Sequence, residues 1–151
     1  TGGLEKDFTT GAISTDAANH QRMVDLRQEK IDLIAKYLPA QEVFGNEDAD
    51  TLIVGWGGTY GYLRDAVEQI NNQGHKLALA HFRFINPLPV NAPEILTKYK
   101  KIVVAEQNNG QFADYLESKV KGLNIVRYNK IEGQPFSVTD LVETFLKEME
   151  A

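Results

Sequence analysis

Cysteine is absent from this 151-residue chain. No disulfide framework can form, and no thiolate is available for an iron–sulfur cluster or a zinc site. That composition fits a reducing compartment, and nothing near the N-terminus reads as a signal sequence, so the expected location is the cytoplasm. Histidine is scarce too: His20, His75 and His81 are the only three, and they lack metal-ligand spacing. No apolar run approaches the roughly 18 residues of a spanning helix, which argues against a membrane partner. Basic residues are outnumbered, 16 Lys and Arg against 21 Asp and Glu, for a net charge of −5. A mildly acidic surface argues against nucleic-acid binding and offers no polybasic membrane patch. There is no Gly-x-Ser-x-Gly elbow, no cysteine nucleophile and no convincing pair of carboxylates. Alone, the chain does not read as a complete enzyme. It opens at Thr1 rather than Met, so a fragment or processed product is expected.

What is present is ordinary for one globular domain, 42% hydrophobic and 25% charged. Thr1 to Thr15 is small, polar and glycine-bearing, which reads as a linker or arm. Asp16 or Asn19 is placed to cap a long helix with an apolar stripe of Met23, Leu26, Ile31, Ile34 and Leu38, stopped with help from Pro39. Gln41 to Asp50 is acidic and is expected to be exposed. A regular alternation follows. Strands are expected near Thr51–Gly55, Lys76–Phe82, Lys101–Ala105 and Leu123–Tyr128. Helices are expected after each: one carrying Leu63, Ala66, Val67 and Ile70 to a cap at Gly74, a short one opened by Pro93, one with Phe112, Tyr115, Leu116 and Val120 ended by Gly122, and a last one after Pro135. Ser137 and Asp140 resemble a capping box before that last helix. The run Leu77-Ala-Leu-Ala80 has no polar face, as a sheet covered on both sides demands. Strands alternating with helices imply an α/β domain with a mostly parallel sheet and right-handed crossovers.

The loops after the strands carry the distinctive residues. Gly55-Trp-Gly-Gly-Thr-Tyr-Gly61 looks like a dinucleotide fingerprint and fails in detail. Gly55 and Gly57 fit, but Tyr60 stands where the third glycine belongs, and strand two ends Ala80-His-Phe82 with no carboxylate for a ribose. No Walker lysine follows. Two readings remain: a tight turn with close strand–helix approach, or anion capture by free amides at the helix start. His81-Phe-Arg83 reads either as a partly buried interface pair or as a catalytic or anion-meeting pair. Glu106-Gln-Asn-Asn-Gly-Gln111 is either a helix cap, through Asn108 or Asn109, or a recognition loop. Lys130 and Glu132 add charge after the last strand. All these loops gather at the carboxyl ends of the strands, the default ligand or docking edge of an open α/β sheet.

Four segments in order carry a family resemblance: Val54-Gly-Trp-Gly-Gly-Thr-Tyr-Gly61, His81-Phe-Arg-Phe-Ile-Asn-Pro-Leu-Pro89, Tyr99-Lys-Lys-Ile-Val-Val-Ala-Glu-Gln-Asn-Asn-Gly-Gln111 and Tyr128-Asn-Lys-Ile-Glu-Gly-Gln-Pro-Phe136. Together with Thr1-Gly-Gly-Leu-Glu5 and Asn19-His-Gln-Arg-Met23 they resemble the C-terminal domain of the alpha subunit of 2-oxoacid:ferredoxin oxidoreductases, the 2-oxoglutarate type above all. Gly58 stands where that family often has Ser, and the arm near Phe8–Ile13 fits less well. The resemblance implies a three-layer α/β/α sandwich like the transketolase C-terminal domain, with one edge strand antiparallel. It implies residues 1–48 as an arm and helix joining a preceding domain, and 49–151 as the α/β domain. The parent reaction would be decarboxylation of a 2-oxoacid on thiamine diphosphate with Mg, passage of electrons through an iron–sulfur cluster to ferredoxin, and transfer of the acyl group to coenzyme A. This chain would bind none of those cofactors alone. Its implied partners are the preceding pyrimidine-type domain, the beta subunit and, through the complex, ferredoxin. Gly57, Gly58, Thr59, Tyr60, Arg83, Asn86, Asn108, Gly110 and Gln111 would line a docking edge that positions parts and breaks no bond. Two rivals stand beside this reading. One is a free-standing nucleotide- or phosphate-binding regulatory module built on the glycine loop. The other is the C-terminal domain of the beta subunit of a 2-oxoacid dehydrogenase, against which the Asn-Pro-Leu-Pro and Glu-Gln-Asn-Asn-Gly-Gln loops argue.

Overall fold

The computed structural model describes residues 3–150. Five strands form one sheet: β1 Phe44–Gly45, β2 Thr51–Trp56, β3 Leu77–Phe82, β4 Lys101–Glu106 and β5 Ile125–Asn129, in the spatial order β1-β3-β2-β4-β5. β2 to β5 are parallel, and β1 pairs antiparallel with β3 through Phe44 and Leu79. β1 is the antiparallel edge that the family resemblance implies, and it corrects the expectation for Gln41–Asp50. The acidic side chains there are exposed, but Val43 and Phe44 are half-buried and Ala49 is buried. A two-residue strand is too short for any periodicity to announce it.

Helices α2 Tyr60–Asn72, α3 Ala92–Lys98, α4 Gln111–Lys119 and α5 Val138–Glu150 complete three layers. The pleat sorts each strand's side chains between two cores. Leu52, Val54, Ala78, Ala80, Ile102 and Val104 point to the face covered by α3 and α4. Ile53, Leu77, Leu79, Val103 and Ala105 point to the face covered by α2 and α5. That division is why β3 reads as continuously apolar. The last helix docks through fully buried Leu141 and Phe145, which contribute about 1.5–3 kcal/mol each. Its Ser137 Oγ accepts from the Asp140 amide at 3.3 Å, so one half of the capping box is present. Gly74 has φ +91°, the left-handed geometry its place at a helix end requires.

The N-terminal segment differs from a plain linker. Lys6 and Ile13 form an antiparallel bridge around a turn in which the Asp7 carboxylate accepts from Thr9 and Thr10. Arg27 of α1 Ala17–Ala35 and His20 hold Glu5, and Arg27 lowers the Glu5 carboxyl to about 2. Arg22 lies over the Phe8 ring. Asp16 caps α1 by accepting from the Asn19 amide, and Asn19 instead ties down the arm, donating to the Lys6 carbonyl. The helix stops at Ala35, ahead of Leu38 and Pro39, and none of its residues is buried. Its apolar stripe is therefore only partly covered within the described residues, with Met23, Leu26 and Ile31 half-buried and Ile34 exposed.

Candidate functional site

Right-handed crossovers send the chain from β2 outward to β3, back across to β4, then outward again to β5. The connections leaving β2 and β4 diverge, and a crevice opens between the carboxyl ends of these two neighbours. Glu106, the last residue of β4, lies in that crevice and is fully buried. Its Oε2 accepts from Trp56 Nε1 at 3.1 Å, Asn108 Nδ2 at 2.9 Å and the Phe112 amide at 2.9 Å, and its Oε1 accepts from the Ala113 amide at 3.0 Å. One carboxylate thus satisfies two otherwise orphaned amides of α4 and pins the loop after β2 to the loop after β4. Asn108 Oδ1 accepts from the Gly110 and Gln111 amides, so it caps α4 from two residues upstream. Gly110 itself has φ +93°, and a Cβ there would stand 3.1 Å from Arg127 Nη1 and Asn129 Nδ2. Both ends of the Asn108 amide are engaged inside the loop. The helix-cap reading of this segment is the one its geometry shows.

On the β3 side a cleft of about 330 Å³ opens between residues 39–44, the start of α2 and the exit of β3. Tyr60, Arg64, His81, Arg83 and Phe84 line it, with Glu42 and Phe44 opposite. Thr59 Oγ1 donates to the Trp56 carbonyl at 2.8 Å and lies 3.3 Å from His81 Nε2. With the hydroxyl proton directed at the carbonyl, the imidazole carries its proton on Nε2 and donates to Thr59. Burial, aided by the charge of Arg83, pushes His81 below its ordinary value, against the pull of the Trp56 carbonyl. The Tyr60 ring meets the His81 ring edge-on at 5.1 Å. Arg64 lies 4.8 Å from the Phe44 ring centroid and donates to the Tyr60 hydroxyl.

A second, apolar cleft of about 230 Å³ lies on the other face, between Trp56, Ile85, Asn86, Gln111, Phe112 and Tyr115. Tyr115 donates its hydroxyl to Asn86 Oδ1 at 3.2 Å. The nine expected edge residues therefore do lie along one end of the sheet but divide among three places. Tyr60 and Arg83 belong to the polar cleft, Asn86 and Gln111 to the apolar one, and Gly57–Thr59, Asn108 and Gly110 to the loops between. Gly57 and Gly58 have open space where a Cβ would go. The close strand–helix approach falls at Gly55, whose added Cβ would collide with Leu63 of α2. Residue-by-residue reading missed three members of this edge. Trp56 stood inside the quoted glycine loop, Glu106 was a lone carboxylate ending an apolar strand, and Arg64 follows Tyr60 at i+4. Lys130 is held locally by Glu132 and Asp140. Among the described residues no group of three His, Asp or Glu is placed to hold a metal ion.

The pyruvate:ferredoxin oxidoreductase core domain II family matches residues 49–141. The chain is 39% identical over 147 residues to the 2-oxoglutarate oxidoreductase subunit KorA of Mycobacterium tuberculosis, covering 97% of this chain and 22% of that subunit. In structure it resembles a 2-oxoglutarate:ferredoxin oxidoreductase from Magnetococcus marinus with 2-oxoglutarate, coenzyme A and succinyl-CoA bound. The TM-score is 0.83 at 28% identity, over 93% of this chain and 25% of that one. A split-gene transketolase, an inactive beta4 tetramer, shares the fold with a TM-score of 0.56 at 15% identity, over 75% of this chain and 43% of its own. The chain thus spans about a quarter or less of these two oxidoreductase relatives, the Mycobacterium subunit and the Magnetococcus chain.

Proposed function

The chain belongs to the pyruvate:ferredoxin oxidoreductase core domain II family, among alpha subunits of 2-oxoacid:ferredoxin oxidoreductases, and we propose that it serves as that domain in an enzyme of the 2-oxoglutarate type. The parent enzyme oxidatively decarboxylates the 2-oxoacid, reduces ferredoxin and releases an acyl-CoA. The observation that carries this reading is 39% identity along 97% of the chain to a 2-oxoglutarate oxidoreductase subunit. Thiamine diphosphate, Mg and the iron–sulfur cluster are assigned to other parts of that enzyme. A chain without cysteine offers no thiolate to a cluster. Coenzyme A enters the parent reaction as a substrate, in keeping with the Magnetococcus relative. The proposed partners are the preceding domain of the same subunit, the beta subunit and ferredoxin, and the proposed compartment is the cytoplasm. No helix among the described residues is long and apolar enough to cross a membrane.

Within that enzyme the domain positions other parts and performs no bond-breaking step. Its working edge is the end of the sheet that holds Gly57–Tyr60, Arg83, Asn86, Asn108, Gly110 and Gln111. The test uses the whole alpha subunit, produced together with its beta subunit and assayed for 2-oxoglutarate- and coenzyme A-dependent reduction of ferredoxin. Arg83→Ala is expected to lower turnover or subunit association while leaving the melting temperature unchanged. Full turnover together with unchanged association would refute the docking role. A wild-type complex that turns over other 2-oxoacids and ignores 2-oxoglutarate would refute the substrate assignment.

A further inference from the structure

The polar cleft beside β3 has an unusual charge balance for an acidic chain. Arg64 and Arg83 both line it, and neither makes an ion pair among the described residues. By contrast Arg127 is held by Asp114 and Glu117, and Arg27 by Glu5. His81 faces the same space as a neutral donor, since burial lowers its affinity for a second proton. Glu42 is the single carboxylate among the lining residues. The remaining wall is aromatic. Tyr60 is 41% exposed and Phe84 40% exposed, with Phe44 under Arg64.

Arginine with exposed aromatic rings in a concave site is the composition of an interface anchor point. The stacked Arg64 guanidinium is pre-oriented by the Phe44 ring, which leaves its edge for a planar, bidentate acceptor. A carboxylate matches that fork. The cleft is continuous with the edge proposed above for docking, and about three quarters or more of the length of the Mycobacterium and Magnetococcus relatives lies outside this chain.

We infer that the Arg64–Arg83 cleft receives an acidic segment from the part of the alpha subunit that lies outside this chain, with an Asp or Glu side chain between the two guanidinium groups. The inference rests on the oxidoreductase reading and supplies the chemistry of its docking contact. Tyr60 and Phe84 flank the entering segment and exclude water from the ion pairs. His81 contributes shape and a fixed tautomer, not charge.

The experiment places a photo-crosslinking benzoylphenylalanine at position 84 of the whole alpha subunit, in the assembled enzyme, and sequences the linked peptide. The expected product joins position 84 to a peptide of the remainder of the alpha subunit that contains Asp or Glu at the link. Arg64→Glu with Arg83→Glu should reduce its yield by at least about tenfold. Should that double variant fail to fold, salt supplies the same test on the unaltered arginines. Raising ionic strength from about 0.01 M to 1 M shortens the screening length from about 30 Å to 3 Å and should reduce the yield in the same direction. Three results would each overturn the inference: a linked peptide that lacks a carboxylate or comes from the beta subunit, a yield indifferent to both arginines and salt, or no protein crosslink because a small anion fills the cleft. Turnover of 2-oxoglutarate by the same preparation is measured separately. An active enzyme with no acidic crosslink sinks this inference alone, whereas an inactive assembled wild type sinks the functional reading beneath it.

Discussion

Replacing Glu106 tests the central claim about how this edge is held. Glu106→Ala removes the acceptor for two buried amides, Phe112 and Ala113, and for the half-buried Trp56 Nε1 and Asn108 Nδ2. Each buried donor left without a partner costs about 1–3 kcal/mol, so the two amides alone imply about 2–6 kcal/mol. Water entering the emptied space would recover part of this, and a net loss of about 3–5 kcal/mol is expected. Glu106→Gln is the sharper probe. Its amide keeps one oxygen, which can serve the three donors now on Oε2, and turns an NH2 group toward a remaining amide. One charge-assisted bond becomes a donor facing a donor, and the favourable charge at the α4 N-terminus is lost. About 2–3 kcal/mol is expected, a large share of the roughly 5–15 kcal/mol that holds a domain together. The readout is urea unfolding followed by circular dichroism and by fluorescence. Trp56 is the only tryptophan of the chain and is itself a donor to Glu106, so its emission reports the bond directly. Glu106→Gln within about 0.5 kcal/mol of wild type, with unshifted Trp56 emission, would refute the hub.

Three further outcomes follow from the same geometry. Gly110→Ala places a side chain at φ +93° against Arg127 and Asn129 and should cost about 1–2 kcal/mol or more, while Gly58→Ala, with open space and ordinary backbone, should stay within about 0.5 kcal/mol; equal effects in paired denaturation curves would refute the distinction. The buried Tyr99 hydroxyl has no partner among the described residues, so Tyr99→Phe should leave stability unchanged or raise it by about 1 kcal/mol, and a clear loss in thermal unfolding would reveal a missed bond. His81 binds its proton less readily when folded, so the unfolded chain holds more protons below the ordinary histidine value of 6.5. Its contribution is therefore full above 6.5 and declines as pH falls below that value. Denaturation midpoints compared with those of His81→Asn across this window should show the slope disappearing in the variant; a slope kept in the variant would assign it to other groups.

The parts of this fold that depend on neighbours in sequence were legible. β2, β3 and β4 lie close to where apolar runs place them, because strands covered on both faces are apolar through their middles, and the edge strand β5 follows its shorter apolar run although it also carries Arg127 and Asn129. Gly74 and Asp16 act where helix-end chemistry puts them. The site was legible only as an edge. Trp56 and Glu106 are fifty residues apart, and no local pattern announces their bond; it exists because the crossover through β3 returns β4 to the side of β2. The glycine loop shows the same limit at finer scale. Its pattern says that glycine is needed, but which glycine depends on where Leu63 lands when α2 packs. That packing requirement falls on Gly55; Gly57 needs glycine for its φ of +62°, and Gly58 for neither reason. The residue that looks most like a ligand cradle, Gly58, is thus the one whose backbone and surroundings would accept a side chain. Phosphate binding through this loop consequently gains no support from its glycines. The charge able to hold an anion sits beside it, on Arg64 of α2 and on Arg83 after β3.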